Sequence, residues 1–102
     1  MHAPATAGVI SKLRDPDAAR KAADWINALG GSKNIERVDD CAATRVRVVL
    51  HDSNGIDETV LLKTGIDAVI KIPNEMLHLL VGLNADQYAA EMRAQLAVPV
   101  AA

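Results

Sequence analysis

Phenylalanine is missing from this chain of 102 residues, and tryptophan and tyrosine occur once each. With aromatics at 2%, almost nothing is available to stack on nucleic-acid bases. A surplus of positive charge is missing too. The 11 Lys and Arg stand against 13 Asp and Glu, a net charge of −2, which disfavours a protein that tracks a phosphate backbone. No nucleic-acid partner is expected. The lone cysteine, Cys41, excludes an internal disulfide and a cysteine-rich metal site. No apolar run approaches ~18 residues, so no membrane-spanning segment is expected. Met1 to Gly8 is small and alanine-rich, without the basic start and apolar stretch of a secretory signal. These absences suggest a cytoplasmic chain, or a cytoplasmic piece of a larger one, in which the cysteine stays a free thiol.

What is present suffices for one domain. Area scaling gives a folded surface of roughly 5,500 Å² against roughly 15,700 Å² unfolded, so about 65% is buried. Residues 1–14 lack a period and read as a lead-in or linker, 15–97 as the folded domain, and 98–102 as a fraying tail. A helix is expected from Asp15 as N-cap and Pro16 as first helical residue, with Ala18, Ala22, Trp25, Ile26 and Leu29 on one face and Gly30-Gly31 as its stop. Ile35 to Asp39 reads as a short strand and Cys41-Ala42-Ala43 as a turn. Thr44 to Leu50 is the clearest strand: Thr44, Val46, Val48 and Leu50 fall on one side, and Arg45, Arg47 and Val49 on the other. After turn residues His51 to Gly55, Asp57 caps a short helix from Glu58 to Thr64. Ala68 to Ile72 and Met76 to Val81 form a hairpin about Pro73-Asn74-Glu75. Asn84 opens a last helix bearing Ala85, Tyr88, Ala89, Met92 and Leu96 on one face. The order α-β-β-α-β-β-α predicts an α+β fold, a four-stranded antiparallel sheet with three helices on one face.

Cys41 is the strongest nucleophile candidate. A free cysteine is also a small hydrophobe that often packs in a core. Its strand-end position and charged neighbours favour exposure. Arg45 and Arg47 leave the same face of one strand, as two solvated surface arginines do, but also as a pair that could chelate a tetrahedral dianion. Positive charge near a thiol favours the reactive thiolate, whereas Asp39 and Asp40 oppose it. His2, His51 and His78 do not form a metal set, and Glu36, Asp39 and Asp40 are too irregularly spaced for one. Gly30-Gly31 lacks the Lys-Ser/Thr of a nucleotide loop. No metal and no cofactor is expected. By shape alone a ferredoxin-like nucleic-acid binder is conceivable, but charge and composition oppose it.

Leu29 to Ile35 (LGGSKNI), Val38 to Cys41 (VDDC) and Thr44 to Val48 (TRVRV) resemble the B domain (enzyme IIB, glucose type) of sugar permeases of the bacterial phosphoenolpyruvate-dependent phosphotransferase system. Asp57 to Gly65, Ala68 to Lys71, Leu77 to Gly82 and Asn84 to Leu96 extend the resemblance over roughly residues 16–97. The resemblance implies a transferase, a protein-phosphohistidine–sugar phosphotransferase component. In it a cysteine takes a phosphoryl group from a phosphohistidine of the A (IIA) domain and passes it to a hexose, of glucose or N-acetylglucosamine class, in the membrane C (IIC) domain. Cys41 matches the phosphorylated cysteine, Arg45 and Arg47 the motif's two arginines, and Thr44 its threonine. Backbone N–H groups at Ala42 and Ala43 could add an anion nest. His78 stands where relatives often carry Gln, and could contact the phosphoryl group. The implied location is cytoplasmic, peripheral to or fused with an inner-membrane permease. An alternative reading is a binding module that sequesters a transcription regulator according to phosphorylation state. The family pattern has one residue between Cys and Thr, whereas Ala42 and Ala43 make two here. The turn must absorb the extra residue, for example as a bulge, or every later side chain would reverse its facing. Two partners visiting one thiol imply a flat, protruding site.

Overall fold

Ala18, Ala22 and Trp25 of helix α1 (Ala18–Ala28) are buried, and so is Leu29 just beyond it, because this spacing makes a single stripe on a helix. The computed structural model describes residues 14–97; the expected tail and the lead-in, apart from Arg14, lie outside the described residues. Helix α1 starts later than the sequence suggests. Asp17 is its N-cap, without a side-chain cap bond. Asp15 instead accepts from the Asp17 N–H at 2.8 Å and, through its carbonyl, from the Ala18 N–H at 3.2 Å, an Asx turn ahead of the helix. Its second carboxylate oxygen is engaged elsewhere, by Lys21 Nζ at 2.6 Å and the Tyr88 hydroxyl at 2.5 Å. The helix does stop at the glycine pair: Gly31 N–H donates to the Ile26 carbonyl at 2.9 Å, with Gly30 at φ +101°, a conformation glycine takes without strain.

A single 3₁₀ turn, Ser32–Asn34, leads into β1 (Ile35–Cys41) and β2 (Arg45–Leu50). Helix α2 (Glu58–Lys63) follows, and the Asp57 side chain accepts from the Thr59 N–H as its cap. Strands β3 (Ala68–Ile72) and β4 (Met76–Leu80) and helix α3 (Ala85–Ala97) complete the chain. The sheet order is β1-β2-β4-β3, with every neighbouring pair antiparallel. This is the α+β architecture expected from the sequence. The boundaries moved in informative places. Strand β1 runs two residues further than expected because the ladder continues through Asp40–Val46 and Cys41–Arg45. Thr44 falls in the connecting turn, and its carbonyl accepts from the Val81 N–H at 3.0 Å.

Val46, Val48 and Leu50 of β2 and Leu77 and Leu79 of β4 face the core, joined there by Trp25, Leu61 and Met92 from the three helices. Each such side chain contributes roughly 1.5–3 kcal/mol of hydrophobic burial. Trp25 keeps a polar partner despite complete burial, donating its Nε1–H to the Thr64 carbonyl at 2.9 Å. Its ring meets Tyr88 edge to face at 4.9 Å, and Tyr88 bonds Asp15. The Asp15, Lys21 and Tyr88 cluster thus joins the approach to α1 with α3.

The hydrogen bonds from Lys21, Tyr88 and the Asp17 N–H bring the Asp15 carboxyl down from 3.8 to about 2. Because the folded value lies below the unfolded one, Asp15 stabilises the fold above pH 3.8, and that contribution is lost as pH falls toward about 2. Urea unfolding at a series of acid pH values should show wild type losing more stability across this window than Asp15→Asn. Parallel losses in the two proteins would contradict the assignment.

Candidate functional site

Cys41 is the last residue of β1, an edge strand, and lies directly across from Arg45. Opposed residues of an antiparallel pair project from the same face. Two residues back along β1, Asp39 opposes Arg47, and Arg47 in turn opposes His78 on β4. Cys41, Arg45, Arg47, Asp39 and His78 therefore share the sheet face turned away from the helices, while Val46 and Val48 point the other way into the core. Cys41 is a free thiol, partly exposed; it belongs neither to the core nor to any pairing with another sulfur.

The hairpin between β1 and β2 settles how the additional residue is accommodated. Cys41 and Arg45 are paired, leaving Ala42, Ala43 and Thr44 as a three-residue loop. The ladder is regular from Val38 to Cys41, and the irregularity of this strand pair lies at its far end, between Ile35 and Arg37. The bulge expected near the turn is absent there, because loop length takes up the residue. The loop closes by placing Ala42 at φ +58°, in the left-handed region where a Cβ is strained. Ala42 and Ala43 are exposed, and Thr44 is partly buried.

The two guanidinium groups have separate partners. Arg45 Nη1 lies 3.4 Å from His78 Nδ1. Arginine can only donate, so this contact requires an unprotonated Nδ1. Burial, followed by the positive charges of Arg45 and Arg47, pushes His78 below its ordinary value of 6.5. Arg47 Nη2 lies 3.5 Å from Asp39 Oδ2, the oxygen that also accepts from Arg37 Nε at 2.9 Å. The structure thus brings together Cys41, Arg45, Arg47 and His78 on one face, with Ala42, Ala43 and Thr44 at its rim. In the sequence Asp39 counts only as charge near the thiol and as part of an acidic cluster. Its pairing with Arg47 follows from counting back two residues along the hairpin from Cys41. Asp40 goes to the other face, 4.0 Å from Arg93 of α3. Among the described residues no three His, Cys, Asp or Glu side chains gather as a metal site.

Three concavities among the described residues are lined by residues other than Cys41. One, lined by Asn27, Lys33, Asn34 and Asp52, sits at the opposite end of the β1–β2 hairpin. Another follows the outer edge of β1 against Arg93 and Leu96, and a third lies between α1 and α2. Cys41 stands on the sheet face turned away from the helices. Among the described residues no helix is long and apolar enough to cross a membrane.

Comparison with known proteins bears on this arrangement. The family model described as phosphotransferase system, EIIB matches residues 23–57. The chain is 35% identical over 69 residues to the PTS system N-acetylglucosamine-specific EIICB component of Bacillus subtilis (strain 168), an alignment covering 68% of this chain and 15% of that protein. It is 32% identical over 82 residues to the N-acetylglucosamine-specific EIICBA component of Escherichia coli (strain K12), covering 79% of this chain and 12% of that protein. The chain therefore spans a small fraction of these relatives. Among solved structures, one domain of the PTS system IIabc component from Clostridium difficile superposes with a TM-score of 0.69 at 18% identity, over 83% of this chain and 88% of that one. At that identity the likeness is one of fold.

The loop conformation yields a test of its own. Holding an alanine left-handed costs roughly 1–2 kcal/mol, partly offset in a glycine replacement by the greater freedom of the unfolded chain. Ala42→Gly should raise the urea midpoint, by about 0.5–1 kcal/mol of stability. A lowered midpoint would contradict the strained turn.

Proposed function

We propose that this chain, which is similar to EIIB components of the phosphotransferase system, relays a phosphoryl group through Cys41. One observation carries the reading: the thiol stands opposite Arg45 on an open sheet face that also presents Arg47 and His78. Phosphoryl transfer asks for a nucleophile in line and positive charge on the equatorial oxygens, with little other covalent help. A thiolate supplies the first and two planar guanidiniums the second.

In the first step Cys41 Sγ attacks the phosphorus of a phosphohistidine on an A (IIA) domain. The S–P bond forms, the P–N bond breaks, and the thiol proton ends on the released imidazole. In the second step the hydroxyl of a hexose attacks the same phosphorus. The S–P bond breaks, the O–P bond forms, and the hydroxyl proton returns to the sulfur. The acceptor is a sugar of glucose or N-acetylglucosamine class held in a membrane C (IIC) domain, so the chain works at the cytoplasmic side of an inner-membrane permease. Both donor and acceptor must reach one sulfur in turn, which a flat face permits and a deep cleft would not. Arg45 and Arg47 bind the phosphoryl oxygens. Thr44 and the backbone N–H groups at Ala42 and Ala43 flank them, the left-handed turn at Ala42 being the kind of conformation that lets successive N–H groups converge on an anion.

Incubated with phosphoenolpyruvate, the general phosphotransferase carriers and a cognate A domain, the chain should gain one phosphoryl group by mass spectrometry, and Cys41→Ser should gain none on sulfur. A wild-type chain that stays unmodified would refute the relay. Arg45→Lys should still be phosphorylated, yet transfer to hexose should slow roughly 10- to 100-fold, the loss of a charge-assisted hydrogen bond of about 1.5–3 kcal/mol. Equal slowing of both steps would refute the divided role.

A further inference from the structure

The contact between Arg45 and His78 joins a permanent cation to a base that can accept one more proton. Arg45 Nη1 approaches His78 Nδ1 at 3.4 Å, and a guanidinium has no lone pair to offer. While Arg45 rests there, His78 must be neutral, with its proton on Nε2. We propose that phosphorylation of Cys41 draws Arg45 off His78 and leaves His78 as a protonated third cation on the face that carries the phosphoryl group, so that phosphorylation of the chain is coupled to uptake of a proton from solvent. The inference rests on the phosphoryl-relay reading and deepens it.

Placement supports the exchange. Cys41 and Arg45 are opposed in the β1–β2 ladder, so a dianion on the sulfur arises across from Arg45, whose side chain now reaches toward β4, and outcompetes a neutral imidazole for the guanidinium. Once Arg45 turns to the dianion, its lone-pair acceptor on His78 is free to bind a proton. Among the described residues the groups facing His78 are few. Strand β2 supplies Arg45 and Arg47, and β1 supplies Asp39, which lies beyond Arg47 and is bonded to it. Strand β3 supplies Ile70, directly opposite and uncharged. In the resting chain burial and the two arginines all disfavour an imidazolium. A phosphoryl dianion cancels the arginine charges and attracts a new one, reversing the balance. Asp39 bears on Arg47 rather than on His78, so it leaves the Arg45 side of the exchange in place. A glutamine in the position of His78 could accept from Arg45 but could never take up the proton.

The test follows His78 by nuclear magnetic resonance of the imidazole nitrogens in the full chain, before and after enzymatic phosphorylation, with the phosphoryl content of each sample read by mass spectrometry. In the resting chain His78 should be the Nε2–H tautomer and titrate below 6.5; in the phosphorylated chain it should titrate above that value and carry a proton on Nδ1. The equilibrium for transfer from the A domain to the chain should shift toward the phosphorylated chain more steeply, as pH falls through this interval, in wild type than in His78→Gln, because the released A-domain imidazole contributes equally to both. A phosphorylated chain whose His78 titrates as in the resting state overturns the proposal and leaves the relay standing. A resting His78 protonated on Nδ1 overturns it also. A chain that takes no phosphoryl group removes the relay reading and this proposal with it.

Discussion

A single strand register, with Cys41 against Arg45, holds the face of the candidate site together. Side chains on a strand alternate, so a slip of one residue would exchange the two faces of β2. Arg45 and Arg47 would then enter the space of Val46, Val48 and Leu50, and unpaired buried guanidiniums are among the costliest errors a fold can make. The register is thus enforced from behind. The valines and leucines under the helices decide which way the arginines point, although none of them touches the thiol. The exposed chemistry is positioned by the apolar layer on the other side of the same strand.

That face also balances its own charges. Two guanidiniums two residues apart on a strand repel each other in the absence of a ligand. Asp39 lies against Arg47, and the lone pair of His78 lies against Arg45. Arg37 reaches the same Asp39 oxygen and holds it in place. The resting site is therefore neither bare nor closed. Each cation has a modest, partly exposed partner, and such pairs are weak enough to be exchanged for a stronger anion.

Most of the architecture could be read from the chain because its periods are clean. The TRVRVVL run alternates without a break, and the buried residues of β2 are those its pattern placed inward. The Ala18, Ala22, Trp25 stripe and the Gly30-Gly31 stop fixed α1. What could not be read was decided over distance. Asp15 resembles a helix cap locally, but Tyr88, 73 positions away, and Lys21 take one of its oxygens. Cys41 resembles a turn residue, yet the ladder reaches it because β1 needs a partner for Arg45. Cys41, Arg45 and Arg47 could be named from composition and spacing, whereas the place of Asp39 emerges only once the length of the hairpin loop is known.

The Arg14–Asp15 clamp sets where the ends of the described segment lie. Arg14 and Asp15 are fastened to the first turn of α3 through Asp86, Gln87 and Tyr88, and Ala97 closes that same helix. Both ends of the described segment leave from the helical layer, behind the sheet. A tether joined at either end would pull on the helical side of the domain and leave the sheet face that carries the sulfur uncovered.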